Sequence, residues 1–77
     1  MKELLLYIAR SLVQHPDQVT VTEVENGDEL TLELRVAPED MGKVIGRQGR
    51  VIKSLRILAR AAGSRAGARH VDVELPE

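Results

Sequence analysis

The residues of this 77-residue chain whose types and spacing could support chemistry are centred on one short segment, Gly46-Arg47-Gln48-Gly49. Its two glycines let the main chain turn sharply and approach another molecule closely, because neither has a Cβ atom. Between them, Arg47 and Gln48 supply a charged and a neutral hydrogen-bond donor. These groups suit phosphate, so the segment predicts a binding surface for the backbone of a polyanion, with single-stranded RNA as the first candidate.

Charge is strongly segregated along the chain, although the net charge is only −1. Residues 1–40 contain nine acidic and three basic residues, a net of −6, whereas residues 41–71 contain eight basic residues and no acidic residue, a net of +8. Residues 72–77 add three acidic residues. Because binding responds to the local potential and not to the total charge, this pattern favours a polyanion around the glycine segment.

Other chemistries are not supported by the residue types. The chain has no Cys, which excludes disulfides and thiolate chemistry, and neither His15 nor His70 has a second ligand at metal-binding spacing. The glycines do not form a nucleotide-binding loop motif, and no nucleophile, base and stabiliser can be assembled. We therefore predict that the protein is not an enzyme and uses no metal, cofactor or small-molecule substrate.

Size and hydropathy predict one domain, residues 1–77, in the cytoplasm. The core must be aliphatic, because Tyr7 is the only aromatic residue. Arg10 interrupts the first apolar stretch too early for a signal peptide. No segment approaches the roughly 20 apolar residues that cross a bilayer, so no membrane association is predicted.

Local patterns predict the elements that would position the glycine segment. Apolar residues recur at three- and four-residue intervals near the amino end, which predicts an amphipathic helix that ends at or before His15, ahead of Pro16. Its apolar face comprises Leu4, Leu5, Ile8, Ala9, Leu12 and Val13. The Asn26-Gly27 pair then predicts a type I′ hairpin turn between antiparallel strands at residues 18–25 and 28–36.

A two-residue turn at that pair also predicts the register of the hairpin. Val21 would lie opposite Leu32, and Val19 opposite Leu34, all on one buried face. The other face would present Thr20, Thr31, Glu33 and Arg35.

Two further helices are predicted on either side of the glycine segment. Pro38, followed by two acidic residues, is typical of a helix start, and Gly46 is placed to end that helix in the left-handed conformation. The next helix starts around Arg50 and stops between residues 62 and 66, where glycines weaken it. Its apolar face comprises Val51, Ile52, Leu55, Leu58, Ala59 and Ala62, and its polar side carries Arg56 and Arg60. Apolar and polar residues alternate over residues 70–75, which predicts a final strand. The sequence does not decide between a parallel and an antiparallel placement of this strand in the sheet.

The segment from Val44 to Ile52 resembles the Ile-Gly-x-x-Gly-x-x-Ile signature of the KH (K homology) domain. The element order resembles the type II, bacterial arrangement, and the whole chain resembles small single-KH bacterial RNA-binding proteins of the KhpA (formerly YlqC) family. This resemblance implies an α+β fold, α-β-β-α-α-β, in which a three-stranded sheet packs against three helices. It also implies that residues 46–49 form a Gly-x-x-Gly loop that holds the backbone of about four nucleotides.

The RNA-binding residues implied by the resemblance are the loop, its flanking cations and an aliphatic floor that receives the bases. They are Lys43, Val44, Ile45, Gly46, Arg47, Gln48, Gly49, Arg50, Ile52 and Lys53. The resemblance further implies a homodimer, a complex with a KH protein of the KhpB (Jag) type, or both. The implied cellular role is an RNA chaperone or post-transcriptional regulator that affects cell shape and division.

Alternatives from other classes stay open at the level of the sequence. The glycines could form only a helix cap and a tight turn, and the arginines only a solvated face. The chain could then be a KH-shaped module for protein interaction or dimerisation. Single-stranded DNA could occupy the same loop, and a helix-turn-helix protein would use the same two helices on duplex DNA.

Overall fold

The computed structural model describes residues 2–76, and residues 1 and 77 of the predicted domain lie outside the described part. The described chain follows the predicted α-β-β-α-α-β order, so the α+β class is confirmed. The helices are α1 (Lys2–Leu12), α2 (Met41–Ile45) and α3 (Arg50–Arg65), and the strands are β1 (Thr20–Asn26), β2 (Glu29–Arg35) and β3 (His70–Glu74). Short 3-10 turns precede β1, α2 and α3 at Pro16–Gln18, Pro38–Asp40 and Arg47–Gly49.

The three strands form one mixed sheet in the order β1-β2-β3. β1 is antiparallel to β2, whereas β3 is parallel to β2, with Leu30 beside Val71 and Leu32 beside Val73. The segment with α2 and α3 provides the crossover that a parallel pair requires. The orientation that the sequence left open is therefore parallel, and β3 lies at an edge of the sheet with β2 on one side only.

The predicted hairpin register is wrong. The two-residue turn is Gly27-Asp28, one residue later than predicted, so Val21 pairs with Leu34 and not with Leu32. Gly27 has a φ of +62°, whereas Asp28 has no positive φ. These signs belong to a type II′ turn and not to the predicted type I′ turn.

Contacts between this turn and the loop before β3 account for the shift. The Asp28 carbonyl accepts hydrogen bonds from the backbone N–H groups of Arg69 (3.2 Å) and His70 (3.3 Å). Nη1 of Arg69 also lies 3.4 Å from Oδ2 of Asp28, across 41 positions of sequence. No local pattern contains these contacts, which is why the turn residues alone predicted another register.

The predicted faces of the hairpin are nevertheless correct. Each residue of β1 pairs with a β2 residue two positions later than predicted, and a shift of two residues keeps every side chain on the same side of the sheet. The helices cover the apolar face, and the core is aliphatic, with the lone Tyr7 73% exposed. The helices bury narrower faces than predicted, since Leu4, Leu12 and Leu58 are exposed. The buried cluster comprises Leu5, Ala9, Val19, Val21, Leu30, Leu32, Leu34, Val44, Ile52, Leu55, Ala59, Val71 and Val73.

Asp40 is a buried charged residue that connects α1 to the helices of the glycine segment. Its carboxylate accepts hydrogen bonds from the backbone N–H groups of Gln14 (3.0 Å) and His15 (2.9 Å), and Nζ of Lys43 lies 3.4 Å away. Burial raises the pKa of Asp40, but these N–H groups and the ammonium of Lys43 outweigh it, so the pKa lies below its ordinary value. The charged form therefore ties the end of α1 to the start of α2.

Replacing Asp40 with asparagine is expected to lower the midpoint of thermal unfolding by roughly 5–10 °C at neutral pH, because an amide cannot accept a hydrogen bond at both terminal atoms. The folded-state pKa is lowered, so this stabilisation is present above about pH 4 and is lost as the pH falls further. Melting curves of the parent and the variant should therefore converge in acid. Asp17→Asn, which makes the same change at an exposed carboxylate, is the control, and an equal gap at every pH would contradict this role for Asp40.

Candidate nucleic-acid interface

The Gly-x-x-Gly segment forms a short loop between α2 and α3. A 3-10 turn, Arg47–Gly49, leads directly into α3, and the backbone N–H of Gly49 donates to the carbonyl of Gly46 at 3.1 Å. Gln48 (φ 57°, ψ 25°) and Gly49 (φ 72°, ψ 18°) both adopt the left-handed conformation. The main chain therefore turns sharply within the loop itself.

The prediction that Gly46 ends α2 in the left-handed conformation is wrong in one angle. Its φ of 77° is positive as expected, but its ψ of 173° lies outside the left-handed helical region. This combination is essentially restricted to glycine. A Cβ atom on Gly46 would also lie 2.4 Å from Cγ2 and 2.9 Å from the backbone N of Val51. The reason for the extended conformation is thus close packing of the loop against the first turn of α3.

Gly49 has a different environment from Gly46. Around a Cβ atom placed on Gly49, the nearest atom is Cγ2 of Ile52, at 3.9 Å, which is an ordinary contact. The requirement for glycine at this position comes from its positive φ of 72° and not from crowding. The motif therefore combines one glycine needed for packing with another that leaves room beside the main chain.

Hydrogen-bond donors are concentrated at the tip of the loop. Arg47 and Gln48 have exposed side chains, and Nη2 of Arg50 lies 3.4 Å from Oε1 of Gln48. Lys43 is placed differently, because its ammonium is paired with Asp40 at 3.4 Å. The structure thus brings two arginines and an amide together at the tip, whereas Lys43 is partly neutralised.

The amino end of α3 adds main-chain donors to the same surface. This helix has 16 residues and begins at Arg50, and Gly49 provides no side-chain cap for its first turn. The first N–H groups of a helix lack partners within the helix, and its dipole places partial positive charge there. The first turn of α3 contains no acidic residue. These features together favour an anion beside the loop.

The apolar residues of the predicted interface divide between the core and the surface. Val44 is fully buried and Ile52 is 6% exposed, so both pack inside the domain and do not form an exposed floor. Ile45, by contrast, is 37% exposed. The predicted residues with exposed side chains are Lys43, Ile45, Arg47, Gln48, Arg50 and Lys53, and the half-buried ones are Gly46 and Gly49.

Two arginines outside the predicted interface reach from α3 to the free edge of β3. Nε of Arg56 donates to the carbonyl of Val73 at 3.1 Å, and Nε of Arg60 donates to the carbonyl of Val71 at 3.3 Å. Oδ1 of Asp72 lies 3.4 Å from Nε of Arg56. We call this junction, formed by these five residues, the α3–β3 seam.

A periodic signal in the sequence could have drawn attention to the seam. Residues on its side of α3 recur at helical spacing, and the stripe comprises Lys53, Arg56, Ile57, Arg60 and Ser64. Ile57 is 65% exposed within this basic stripe. The stripe starts one turn after the loop, so it extends the basic surface along α3.

Residues 2–76 contain no metal-binding cluster, no membrane-spanning helix and no unpaired buried polar side-chain atom. Within residues 2–76, no three His, Asp or Glu side chains lie close enough together to hold a metal ion. No helix in the described part of the chain is both long and apolar enough to span a membrane. Every buried side-chain nitrogen or oxygen of the described residues has a hydrogen-bond partner.

Comparison with known proteins matches almost the whole chain. The family model described as "KhpA/KhpB, KH domain" matches residues 2–75. A protein named "RNA-binding protein KhpA" from Clostridium acetobutylicum is 54% identical over 71 residues, which cover 92% of this chain and 95% of that protein. A protein of the same name from Halalkalibacterium halodurans is 52% identical over 65 residues, which cover 84% of this chain and 86% of that protein. Another of the same name, from Chlamydia pneumoniae, is 43% identical over 77 residues, which cover 100% of this chain and 97% of that protein. No solved structure matches the chain significantly.

Proposed function

Because the chain belongs to the KhpA/KhpB KH-domain family, we propose that it binds single-stranded RNA at the loop formed by residues 46–49. The observation that supports this proposal most strongly is the position of the loop. Its exposed donors, Arg47 and Gln48, stand at the open amino end of α3, within a stretch of chain that contains no acidic residue.

In the proposed mechanism, the loop holds the RNA backbone. The main chain at Gly49 leaves room for a phosphate group to approach the first N–H groups of α3. Arg47 would add a charged fork of donors and Gln48 a neutral amide. Arg50, which contacts Gln48, would bind a neighbouring phosphate. Electrostatic attraction would thus come from a small, preformed surface and not from the net charge of the chain.

Recognition of the bases would be loose. KH domains clamp about four nucleotides, so one copy can read only a short sequence. Ile45 is the predicted apolar residue that is exposed beside the loop, and a base could rest on it. Val44 and Ile52 would support this surface from the core. The loop therefore determines how the backbone is held more than which RNA is chosen.

The remaining family properties extend this proposal. We propose that the chain acts as one KH domain in the cytoplasm, as an RNA chaperone or post-transcriptional regulator with effects on cell shape and division. The KH family is not a class of enzymes, and we propose no catalytic activity. A KhpB-type protein is the partner that the family name suggests.

An apolar surface supports self-association as part of the function. Leu4, Tyr7 and Leu58 are exposed on α1 and α3, and a shallow groove between these helices is lined by apolar residues. A dimer that used this surface would present two loops to one RNA molecule, which raises affinity through effective concentration. We therefore propose that a homodimer, or a complex with the KhpB-type partner, is the RNA-binding form.

Titration of the pure protein against single-stranded RNA, single-stranded DNA and duplex DNA tests the proposal. Single-stranded RNA should bind more tightly than duplex DNA. If about four phosphates are contacted, raising the salt concentration from about 50 to 200 mM should weaken binding roughly 20- to 60-fold, through counterion release.

Each alternative function predicts a different outcome of the same titration. Tighter binding of duplex DNA would favour a helix-turn-helix mode. If single-stranded DNA bound as tightly as single-stranded RNA, the loop would not distinguish deoxyribose from ribose. No binding to any nucleic acid, together with self-association, would leave an interaction module, and a flat response to salt would point to another kind of ligand.

A further inference from the structure

We propose that the free edge of β1 is a docking site for an extended, basic segment of a partner protein. The segment would pair with β1 as a fourth strand of the sheet, through main-chain hydrogen bonds and through lysine or arginine side chains beside the acidic side chains of β1. This edge lies on the opposite side of the sheet from the α3–β3 seam. It includes no residue of the loop at residues 46–49, so the site does not depend on RNA binding.

The pairing of the hairpin determines which main-chain groups of β1 point away from the sheet. Asn26 and Glu29 flank the two-residue turn, so they form a hydrogen-bonded pair, and such pairs recur at every second residue of β1. The residues between them, Val21, Glu23 and Glu25, consequently direct their N–H and C=O groups to the free edge. None of these groups has a hydrogen-bond partner within residues 2–76. The edge therefore offers main-chain donors and acceptors along about 14 Å.

The two edges of the sheet differ in how they are covered. At the β3 edge, Arg56 and Arg60 donate to two outward carbonyls of the strand. No side chain of residues 2–76 bonds the outward main-chain groups of β1 in this way. Residues 22–26 are all exposed, including Val24 at 45%. Because an open edge is a template for another strand, β1 is the place where the sheet can be extended.

Charge identifies the kind of segment that would fit this edge. Residues 11–34, which include β1 and most of β2, contain six acidic residues and no Lys or Arg. Two of the six, Glu23 and Glu25, lie on the same side of β1. Oε1 of Glu23 accepts the backbone N–H of Lys2 at 3.2 Å, whereas Glu25 has no hydrogen bond or ion pair within residues 2–76. This edge would therefore repel RNA and attract a basic peptide.

The two faces of β1 predict an alternating pattern in the bound segment. Lysine or arginine would lie beside Glu23 and Glu25, on the side of the sheet that the helices cover. Apolar or β-branched side chains would lie beside Thr22 and Val24, on the open side. A second copy of β1 fits this edge less well, because it would bring the glutamates of both strands together, and like charges oppose pairing.

A synthetic peptide tests the docking site directly. The probe is a fluorescently labelled peptide with capped ends, Ser-Lys-Val-Lys-Val-Lys-Ser, and its match replaces each lysine with glutamate. The lysine peptide should bind the full chain, and the glutamate peptide should bind at least about tenfold more weakly. At saturating lysine peptide, hydrogen exchange at the N–H groups of Val21, Glu23 and Glu25 should slow at least about tenfold, because these groups gain partners. Unchanged exchange at all three would overturn the proposal.

Methylation of the peptide backbone separates strand pairing from attraction between charges alone. N-methylation of the lysines removes the N–H groups that would face β1 in an antiparallel pair, and N-methylation of the valines removes those that would face it in a parallel pair. One set should weaken binding at least about 30-fold, while the other should change it less than about threefold. Equal effects of the two sets would mean that charge holds the peptide and that no strand forms, which contradicts the proposal.

Variants of Glu25 test the same point from the side of the protein. Glu25→Gln removes one charge and should weaken binding of the lysine peptide about two- to threefold. Glu25→Pro removes the same charge and also the outward N–H group, so it should weaken binding a further five- to tenfold, roughly. Proline is tolerated at this position because the N–H has no partner in the sheet. Glu29→Gln, which changes an exposed carboxylate on β2, is the control for charge and should weaken binding less than Glu25→Gln.

The remaining outcomes separate this site from RNA binding and from self-association. RNA affinity of Glu25→Pro should match that of the parent, and its loss would place β1 in the RNA interface and overturn the proposal. Equal peptide affinity of Glu25→Pro and Glu25→Gln would do the same. If the outward N–H groups of β1 become protected as the protein concentration rises, without peptide, the edge pairs with a second copy and the basic segment is the wrong occupant. The methylated peptides keep the test valid if the proline variant does not fold.

Discussion

An Arg47→Asp/Gln48→Asp variant is expected to lose affinity for single-stranded RNA by at least about 100-fold, because the charge at the loop tip changes by three units towards negative where phosphate must bind. Both side chains are exposed, so no core contact is removed. Gln48 has a φ of 57°, and aspartate tolerates this left-handed conformation at least as well as glutamine. The fold should therefore remain intact, and an electrophoretic shift or fluorescence anisotropy titration measures the loss.

A matched control separates the loop from the overall charge. Arg10→Asp/Ser11→Asp makes the same change in net charge at two exposed positions of α1, outside the predicted interface. Melting curves of both variants establish that they are folded. RNA binding should fall far less in the α1 variant. Retention of parental RNA affinity by the loop variant would mean that residues 46–49 do not hold the RNA.

A Gly46→Ala variant is expected to lose about 3–5 kcal/mol of the free energy of unfolding, as the sum of backbone strain and overpacking. The strain arises because the φ of 77° and ψ of 173° suit glycine alone. The overpacking arises because the new Cβ atom would lie 2.4 Å from Cγ2 and 2.8 Å from Cβ of Val51. Urea denaturation of the parent and the variant measures the difference, and a domain of this size has little stability in reserve.

Gly49→Ala is the matched control, because it adds the same methyl group to the other glycine of the motif. The nearest atom would be 3.9 Å away, so only the left-handed conformation is penalised, by about 1–2 kcal/mol. The cost at Gly46 should thus exceed the cost at Gly49 by at least about 1 kcal/mol. Equal unfolding midpoints for the two variants would show that Val51 does not confine Gly46 as the structure indicates.

These two experiments distinguish two roles within one motif. Gly46 is required because the loop packs against α3, so its substitution should affect stability before it affects binding. Arg47 and Gln48 make no core contact, so their substitution should affect binding without affecting stability. A loss of RNA binding in a Gly46 variant would consequently need a melting curve before it could be assigned to the interface.

Local patterns determined the order of the elements, the faces of the hairpin and the segregation of charge. The amphipathic spacing of α1, the turn residues near Gly27 and the alternation of β3 act within a few residues, so they can be read directly from the chain. The limits of α3 were predicted for the same reason, since it begins at Arg50 and ends at Arg65. The residues at the tip of the loop, Arg47 and Gln48, were likewise placed correctly on the surface.

Contacts between distant residues decided what the local patterns could not. The hairpin register depends on Arg69 and His70, and the link between α1 and α2 depends on Asp40, 26 positions from Gln14. The parallel placement of β3 brings the carbonyls of Val73 and Val71 within hydrogen-bond distance of Arg56 and Arg60.

The burial of Val44 and Ile52, which the family motif had placed in the interface, also follows from packing between elements. The sequence by itself thus determined which chemistry the Gly46 to Gly49 loop offers, because side-chain type and local propensity are properties of short segments. The tertiary structure decided which of those groups are exposed to solvent, because exposure depends on long-range packing.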